Sequence, residues 1–197
     1  MRRLVLVRHA STTAVRRSAF PLDEPLDAAG RAAASTLAGR LGRGDALTSP
    51  ALRARTTAEA AGLDARTVGA ICECDFGAWA GRTLAEVWDE EPVAAQAWMT
   101  DPAAAPHGGE SLAAFLGRIG TWLDEQAQLD GRAVAVTHGG VVKAAVIHAL
   151  AAGPEAFWRV DAAPLHATEL HGREGRWSLA RVNAPIDGAS SARSEAV

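Results

Sequence analysis

The chain has 197 residues and a formal net charge of −3 at pH 7, and no segment is rich in Lys and Arg. A chain of this length commonly forms one α/β domain with a substantial core. The acidic balance gives no support for a nucleic-acid partner, and no stretch approaches the ~18 apolar residues of a membrane span, so we expect neither kind of partner.

The first apolar run, 4–7, predicts a buried strand that ends at Arg8 and His9. Although basic residues precede it, the run is shorter than the roughly 7–15 apolar residues of a signal peptide, so we expect a cytoplasmic protein. A helix is predicted from Asp27 to Leu41, with Asp27 as its N-cap and with Ala33, Leu37 and Leu41 on one apolar stripe.

A second short apolar run, 45–48, predicts another strand, and the residues after it carry the signature of a helix start. Ser49 is a typical N-cap and Pro50 a typical first helical residue, which places Arg53 in the first turn. A cation beside the free N–H groups of a helix start adds to a field that attracts anions.

Two cysteines, Cys72 and Cys74, flank Glu73. A one-residue loop is a poor disulfide, so they are predicted to be small packed residues, with redox sensing as the alternative. The histidines show no helical i, i+4 pair, and we therefore expect no metal site. Four of them lack a recognisable motif: His107, which could line a pocket mouth, and His148, His166 and His171.

Apolar residues from Leu112 to Leu123 recur at helical spacing and predict an amphipathic helix that leads to a strand at 133–137. That strand delivers His138, and Gly139-Gly140 opens a helix over 141–150. Near the end, alternating residues in 167–171 and 177–182 predict a β-hairpin.

We expect a single domain over 1–186, with 187–197 as a disordered tail. The segment 82–107 is the least patterned part of the chain and contains Trp88 and Trp98, which we interpret as packing this segment against the body, with substrate contact as the alternative.

The carboxyl ends of neighbouring strands in an open α/β sheet meet at one crevice, where ligands bind. Arg8, His9, Arg53 and His138 all follow predicted strands at this edge. The sequence therefore predicts that they converge on a phosphate site.

These motifs resemble the histidine phosphatase superfamily, which includes cofactor-dependent phosphoglycerate mutases and many small phosphatases. The resemblance covers residues 4 to about 140, and the motifs occur in the order of the family. They are Arg8-His9-Ala10, Glu24-Pro25-Leu26 with Gly30, Ser49-Pro50 with Arg53-Ala54, Glu73 with Phe76 to Gly81, Gly108 to Ser111, and Thr137-His138-Gly139.

The resemblance implies a three-layer α/β/α sandwich with a mostly parallel central sheet, of the phosphoglycerate mutase-like kind. It also implies that the segment 82–107 forms a cap over the active site. It implies that His9 is a nucleophile that forms a phosphohistidine, that Arg8 and Arg53 clamp the phosphoryl oxygens, and that His138 donates to phosphate. Glu73 is the implied proton donor to the leaving group. Thr12 and Gly139 are further implied substrate-binding residues, and neither a metal nor another cofactor is expected.

Three positions depart from the family pattern. Ala10 replaces a common Gly, Val15 replaces an Asn that lies near the phosphate in many members, and Ala80 replaces a frequent Glu. Arg16 or Arg17 could take over the role of the missing Asn, although both are more typical of solvated loop charges.

The function predicted from the sequence is hydrolysis of a small phosphomonoester, with α-ribazole phosphate or a sugar phosphate as the nearest analogies. Two alternatives stay open: phosphoryl transfer of the phosphoglycerate mutase type, and a pseudophosphatase that only binds a partner. The expected partner is therefore a small-molecule phosphomonoester, and a homodimer is compatible with the sequence.

Overall fold

The computed structural model describes residues 1–186. The tail predicted to be disordered, 187–197, lies outside the described residues. The elements in chain order are β1 (Arg2–Arg8), α1 (Thr13–Arg17), α2 (Ala28–Ser35), β2 (Asp45–Thr48), α3 (Leu52–Ala60), β3 (Arg66–Thr67), α4 (Leu84–Glu90), α5 (Pro92–Thr100), α6 (Leu112–Ala127), β4 (Gly131–Thr137), α7 (Gly139–Ala149), β5 (His166–Arg173) and β6 (Arg176–Pro185).

The strands form one six-stranded sheet in the order β3-β2-β4-β1-β5-β6. Strands β3, β2, β4 and β1 are parallel to one another, whereas β5 pairs antiparallel with β1 and forms an antiparallel hairpin with β6 at the edge. The predictions of a mostly parallel sheet and of a C-terminal hairpin are confirmed.

Successive residues of β1 face opposite sides of the sheet, as the two-residue period of a strand requires. Leu4 and Leu6 pack in the cluster that contains the apolar faces of α6 and α7. Val5 and Val7 pack on the other side of the sheet with Leu37 and Leu41, which follow α2. Helices therefore cover both faces, which is the predicted three-layer α/β/α arrangement.

The helix predicted over 27–41 is shorter than expected. It does begin after Asp27, whose carboxylate accepts from Gly30 N at 2.7 Å, but it ends at Ser35 and continues as turns. Thr36 Oγ1 bonds to the Ala33 carbonyl at 2.7 Å, and such a local bond competes with the helical ladder. The predicted apolar stripe also differs at one position: Ala34 is buried, and Ala33 is exposed.

The predicted cap of α3 was also wrong. Ser49 N still bonds to the β4 backbone at 3.0 Å, so Ser49 extends the sheet and the helix begins only at Leu52. The cap is supplied from another loop, because Asp23 Oδ1 accepts from Leu52 N at 2.7 Å. Arg53 nevertheless lies in the first helical turn, as predicted.

The remaining elements agree closely with the sequence. Helix α6 follows the predicted stripe, and α7 begins at Gly139, two residues before the predicted 141–150 helix. The segment 82–107 contains α4 and α5. Within residues 1–186, none of the helices combines the length and the apolar character that crossing a bilayer would require.

Gly30 provides a test of how α2 is docked. A Cβ at this position would lie 2.2 Å from the Ser11 carbonyl oxygen, whereas a Cβ at Gly117 in α6 would meet no atom within 4 Å. We expect Gly30→Ala to lower the free energy of unfolding by ~1–3 kcal/mol through overpacking. The control Gly117→Ala should raise it by ~0.5–1 kcal/mol through helix propensity. Urea denaturation measures both, and an unchanged Gly30→Ala variant would contradict the close contact.

Candidate active site

The ends of β1 and β4 bring two histidines together. The strands pair in parallel with Arg8 opposite Thr137, so His9 and His138 leave the sheet side by side. Their ring centroids are 5.2 Å apart, with the rings at 68°. Arg53 reaches the same point from α3, and all three side chains are almost completely buried.

The hydrogen bonds of His9 identify its tautomer. Arg53 Nε lies 3.2 Å from His9 Nε2, and because a guanidinium only donates, Nε2 is the acceptor. The proton is therefore on Nδ1, which lies 2.7 Å from the Ala10 carbonyl and donates to it. Nε2 carries a lone pair and is the nitrogen that can act as a nucleophile.

The surroundings of His9 keep the imidazole uncharged. Burial lowers its pKa to about 3, with further lowering by the positive charges of Arg53 and Arg8, while the bond to the Ala10 carbonyl opposes the shift. An imidazole with this pKa stays neutral at physiological pH.

His138 is held by Ser49, the residue predicted to cap α3. His138 Nε2 and Ser49 Oγ are 2.7 Å apart, and Nδ1 is buried with no hydrogen-bond partner. Burial first, and the neighbouring His9 and arginines second, lower the pKa of His138 well below its ordinary value. Nδ1 is unpartnered, but His138 is fully buried and lines neither of the two cavities described below.

Arg8 projects along the start of α7. Its Nη1 donates to the Ala162 carbonyl at 2.5 Å, and its Nε is buried without a partner. A Cβ on Gly139 would lie 3.3 Å from that Nε, so the predicted ligand Gly139 is the residue against which the guanidinium packs. Burial lowers the pKa of Arg8, and the charges of Glu73 and Asp161 oppose this effect.

Glu73 is fixed by backbone N–H groups. Gly140 N donates to Oε2 at 3.2 Å and Cys74 N donates to Oε1 at 3.1 Å. A Cβ on Gly140 would lie 2.2 Å from Oε1, so only glycine allows the carboxylate this close to the start of α7.

The loop that carries Glu73 is anchored by Arg118, a residue that the sequence interpretation missed. Arg118 Nη1 donates to the carbonyls of Ala70 at 2.7 Å and Cys72 at 3.2 Å. Its Nη2 pairs with Glu110 at 2.7 Å. The sequence contained one signal for Arg118, because it follows Phe115 at helical spacing. In the structure, its guanidinium carbon lies 5.1 Å from the centre of the Phe115 ring.

Two adjoining cavities meet at Arg8 and Glu73. The His9 cavity, of about 420 Å³, is lined by residues that include His9, Arg53 and Glu24. The Lys143 cavity, of about 260 Å³, is lined by Lys143, Asp161 and a group of aromatic side chains. Both cavities share Arg8, Glu73, Phe76 and Trp98.

Glu24 and Lys143 were not singled out from the sequence. Glu24 belongs to a recognised motif, but its side chain was not assigned a role; its Oε1 is buried without a partner in the His9 cavity. Val15, at the position where many family members carry Asn, also lines this cavity.

Thr12 and His107 do not line either cavity. Thr12 is fully buried, and its Oγ1 accepts from Val15 N at 3.2 Å, so the hydroxyl caps α1. His107 was expected at a pocket mouth, but it is buried against Phe76 and Trp79, and its Nδ1 accepts from Gly109 N at 3.0 Å. The contact that buries it comes from residues distant in sequence, which spacing does not reveal.

The other three histidines have partners on the outside of the site. His148 lies 2.8 Å from Asp124, His171 lies 2.7 Å from Glu169, and His166 lies 3.1 Å from the Pro164 carbonyl. Within residues 1–186, no three His, Cys, Asp or Glu side chains are grouped so that they could hold a metal ion.

Cys72 and Cys74 are free and half-buried. Burial raises the pKa of both thiols, which disfavours the reactive thiolate. Trp98 packs against Phe20, Trp79 and Trp158 and also lines both cavities, so it combines the two interpretations that the sequence left open. Trp88 packs partly buried in the same aromatic cluster.

The chain is similar to curated mycobacterial proteins. It is 33% identical over 195 residues to the "Bifunctional protein Rv2228c" of Mycobacterium tuberculosis, covering 92% of this chain and 53% of that protein. It thus spans about half the length of that relative. It is 34% identical over 176 residues to a glucosyl-3-phosphoglycerate phosphatase of the same species, covering 80% of this chain and 78% of the relative.

The chain is also similar to solved structures. The mycobacterial glucosyl-3-phosphoglycerate phosphatase Rv2419c in complex with VO3 superposes with a TM-score of 0.80 at 30% identity, covering 93% of this chain and 100% of that one. The protein TTHB049 of Thermus thermophilus superposes with a TM-score of 0.74 at 34% identity, covering 92% and 99%. A model of the histidine phosphatase superfamily (branch 1) matches residues 4–185, and the chain belongs to this family.

Proposed function

We propose that this chain is a metal-independent phosphomonoesterase that hydrolyses a small phosphorylated metabolite through a phosphohistidine at His9. The observation that carries the proposal is the neutral His9, whose Nε2 lone pair accepts from Arg53 Nε at the wall of a cavity that Arg8 also lines. An uncharged imidazole is a suitable nucleophile for an anionic phosphate ester, since it does not repel it. The similarity to a glucosyl-3-phosphoglycerate phosphatase, whose structure was solved in complex with VO3, supports a phosphatase function.

In the first step, the phosphate group binds beside His9, and Arg53 exchanges its bond to Nε2 for a bond to a phosphoryl oxygen. The Nε2 lone pair forms the N–P bond while the P–O ester bond breaks. The electron pair of that bond goes to the leaving oxygen, which takes a proton from Glu73. Nδ1 keeps its proton and its bond to the Ala10 carbonyl, so the imidazole stays aligned.

In the second step, the Glu73 carboxylate takes a proton from water as the water oxygen bonds to phosphorus. The N–P bond then breaks, and its electron pair returns to Nε2. Inorganic phosphate and the original neutral His9 result. Arg8 and Arg53, which line the His9 cavity, stabilise the charge of the phosphoryl oxygens in both transition states with their guanidinium N–H donors, and His138 adds a third donor from its buried position beside His9.

The phosphohistidine can be trapped. Acid-labile, base-stable label should appear on His9 when the enzyme is mixed with a labelled phosphomonoester and quenched, with a chelator present throughout. His9→Asn should carry no label, whereas His107→Asn, altered outside both cavities, should be labelled. Label on the His9→Asn variant would reject His9 as the nucleophile. Loss of activity with the chelator would reject metal independence. Transfer of the phosphoryl group to a second alcohol instead of water would indicate a mutase.

The role of Glu73 can be separated from that of Glu24, the other carboxylate of the His9 cavity. A poor leaving group such as an aliphatic alkoxide needs a proton, whereas nitrophenolate departs without one. Glu73→Gln should slow single-turnover phosphorylation by a sugar phosphate about 10²–10⁴-fold, with a much smaller loss for nitrophenyl phosphate. Glu24→Gln should show no such difference between the two substrates. If instead the difference follows Glu24, that residue is the acid.

The neutral state of His9 should be visible in folding. Between pH 6.5 and about 3 the unfolded chain binds a proton that His9 excludes in the folded state, since its pKa falls from 6.5 to about 3. The free energy of unfolding should therefore decrease as the pH falls through this window, by up to ~1.4 kcal/mol per pH unit from His9. Urea denaturation from pH 7 to pH 4 should show a shallower decrease for His9→Gln than for the wild type or for His148→Gln. Identical decreases with pH in the wild type and His9→Gln would mean that folding does not lower the pKa of His9.

A further inference from the structure

Lys143 is the only lysine among the 20 Lys and Arg residues of the chain. It lies in α7, three residues after Gly140 and four after Gly139, and residues at these spacings share a helix face. Glu73 is bound at Gly140, so the lysine stands on the same face as the proposed acid, one helical turn further along. All of these residues line the Lys143 cavity.

The ammonium group of Lys143 has an unusual environment for a cation. It is half-buried, and its Nζ lies 5.2 Å from the centre of the Phe157 ring. Within residues 1–186 it makes no hydrogen bond and no ion pair. Burial lowers the pKa of Lys143, the charges of Asp161 and Glu73 oppose that effect, and Arg8 adds to it. An anion that entered the cavity would replace the solvation that this ammonium has lost.

The walls of the cavity indicate what accompanies that anion. Phe115, Phe157, Trp158 and Trp98 form an aromatic surface around Lys143. Such surfaces bind the carbon skeleton of a ligand, while one polar group fixes its orientation. An ammonium can bind a carboxylate or a phosphate as a point charge. The carboxylates of Asp161 and Glu73 line the same cavity and repel a second phosphate, which carries about two negative charges, more than a singly charged carboxylate.

We propose that Lys143 is a specificity-determining residue that binds a carboxylate on the alcohol part of the substrate, while the aromatic walls receive its carbon skeleton. The preferred substrates are then phosphomonoesters of hydroxy acids. This inference rests on the proposed function, because it assumes that the ester phosphate lies beside His9 and that the leaving alcohol extends past Glu73.

A matched pair of esters tests the carboxylate. In 4-(carboxymethyl)phenyl phosphate and its neutral amide, 4-(carbamoylmethyl)phenyl phosphate, the charged group is insulated from the ester oxygen and the two shapes are nearly equal. The wild type should prefer the acid by about tenfold in kcat/KM, the scale of one partly buried ion pair. Lys143→Met should abolish this preference through a higher KM for the acid, and Lys143→Arg should retain most of it.

Two results would overturn the proposal. A preference for the acid that persists in Lys143→Met would place the carboxylate elsewhere. Equal losses of kcat for both esters would show that Lys143 acts through Glu73 and does not bind the substrate.

A second measurement does not depend on turnover. Trinitrobenzenesulfonate reacts with amines, so it can label only Lys143 and the Met1 amino group, and the latter is an internal control. The phosphonate analogue of the acid should slow labelling at Lys143 more than the phosphonate of the amide does, with no change at Met1. If the esters are not hydrolysed but this protection occurs, the proposed function fails and the carboxylate site stands. Equal protection, or none, rejects the site.

Discussion

The hydrogen bond from Arg53 Nε to His9 Nε2 is the interaction on which the site depends. Because a guanidinium has no lone pair to offer, this contact exists only when His9 is neutral at Nε2, and the bond to the Ala10 carbonyl then requires the proton on Nδ1. Two buried groups thus fix each other's state: the arginine carries the charge, and the histidine carries the lone pair. An imidazolium at this position would be both desolvated and repelled by Arg53 and Arg8.

The sheet makes this contact available. Strands β2, β4 and β1 are adjacent and parallel, so their carboxyl ends deliver Ser49, His138 and His9 to one edge. Backbone bonds extend the pairing one residue past the strands, from Ser49 N to Val136 O at 3.0 Å and from His9 N to Thr137 O at 2.8 Å. The side chains at this edge therefore project from hydrogen-bonded backbone, which limits their motion.

The sequence was sufficient for the parts of the molecule that follow from periodicity. Strands β1, β2 and β4 were predicted from short apolar runs, and α6 and the hairpin from apolar residues that repeat or alternate, whereas the two-residue strand β3 was not predicted. The meeting of His9 with His138 follows from parallel pairing. The start of α3 was missed because a tertiary contact decided it: Asp23, from another loop, caps Leu52 and leaves Ser49 to His138. A local cap preference does not contain that information.

The same limit explains the residues that were misplaced or overlooked. A helical wheel can place Lys143 on the face of Gly140, but the aromatic walls around it come from α5, α6 and Pro154–Arg159, whose positions depend on the complete fold. His107 is enclosed in a similar way by Phe76 and Trp79. In both cases the sequence gives the chemistry of the side chain, and the packing of distant segments gives its surroundings.

The arrangement of the two cavities determines which substitutions can alter the substrate preference of such a site. Displacement at phosphorus requires the nucleophile and the leaving oxygen to lie on opposite sides of the phosphoryl group. His9 lines only one cavity, whereas Glu73 and Arg8 line both, so in the proposed reaction an in-line geometry directs the leaving alcohol toward the cavity of Lys143. In that proposal, the groups that carry out phosphoryl transfer are separated from those that contact the alcohol. Substitutions around Lys143, Phe157 and Trp158 can then alter which ester is accepted while the neutral histidine and its arginine clamp remain as they are.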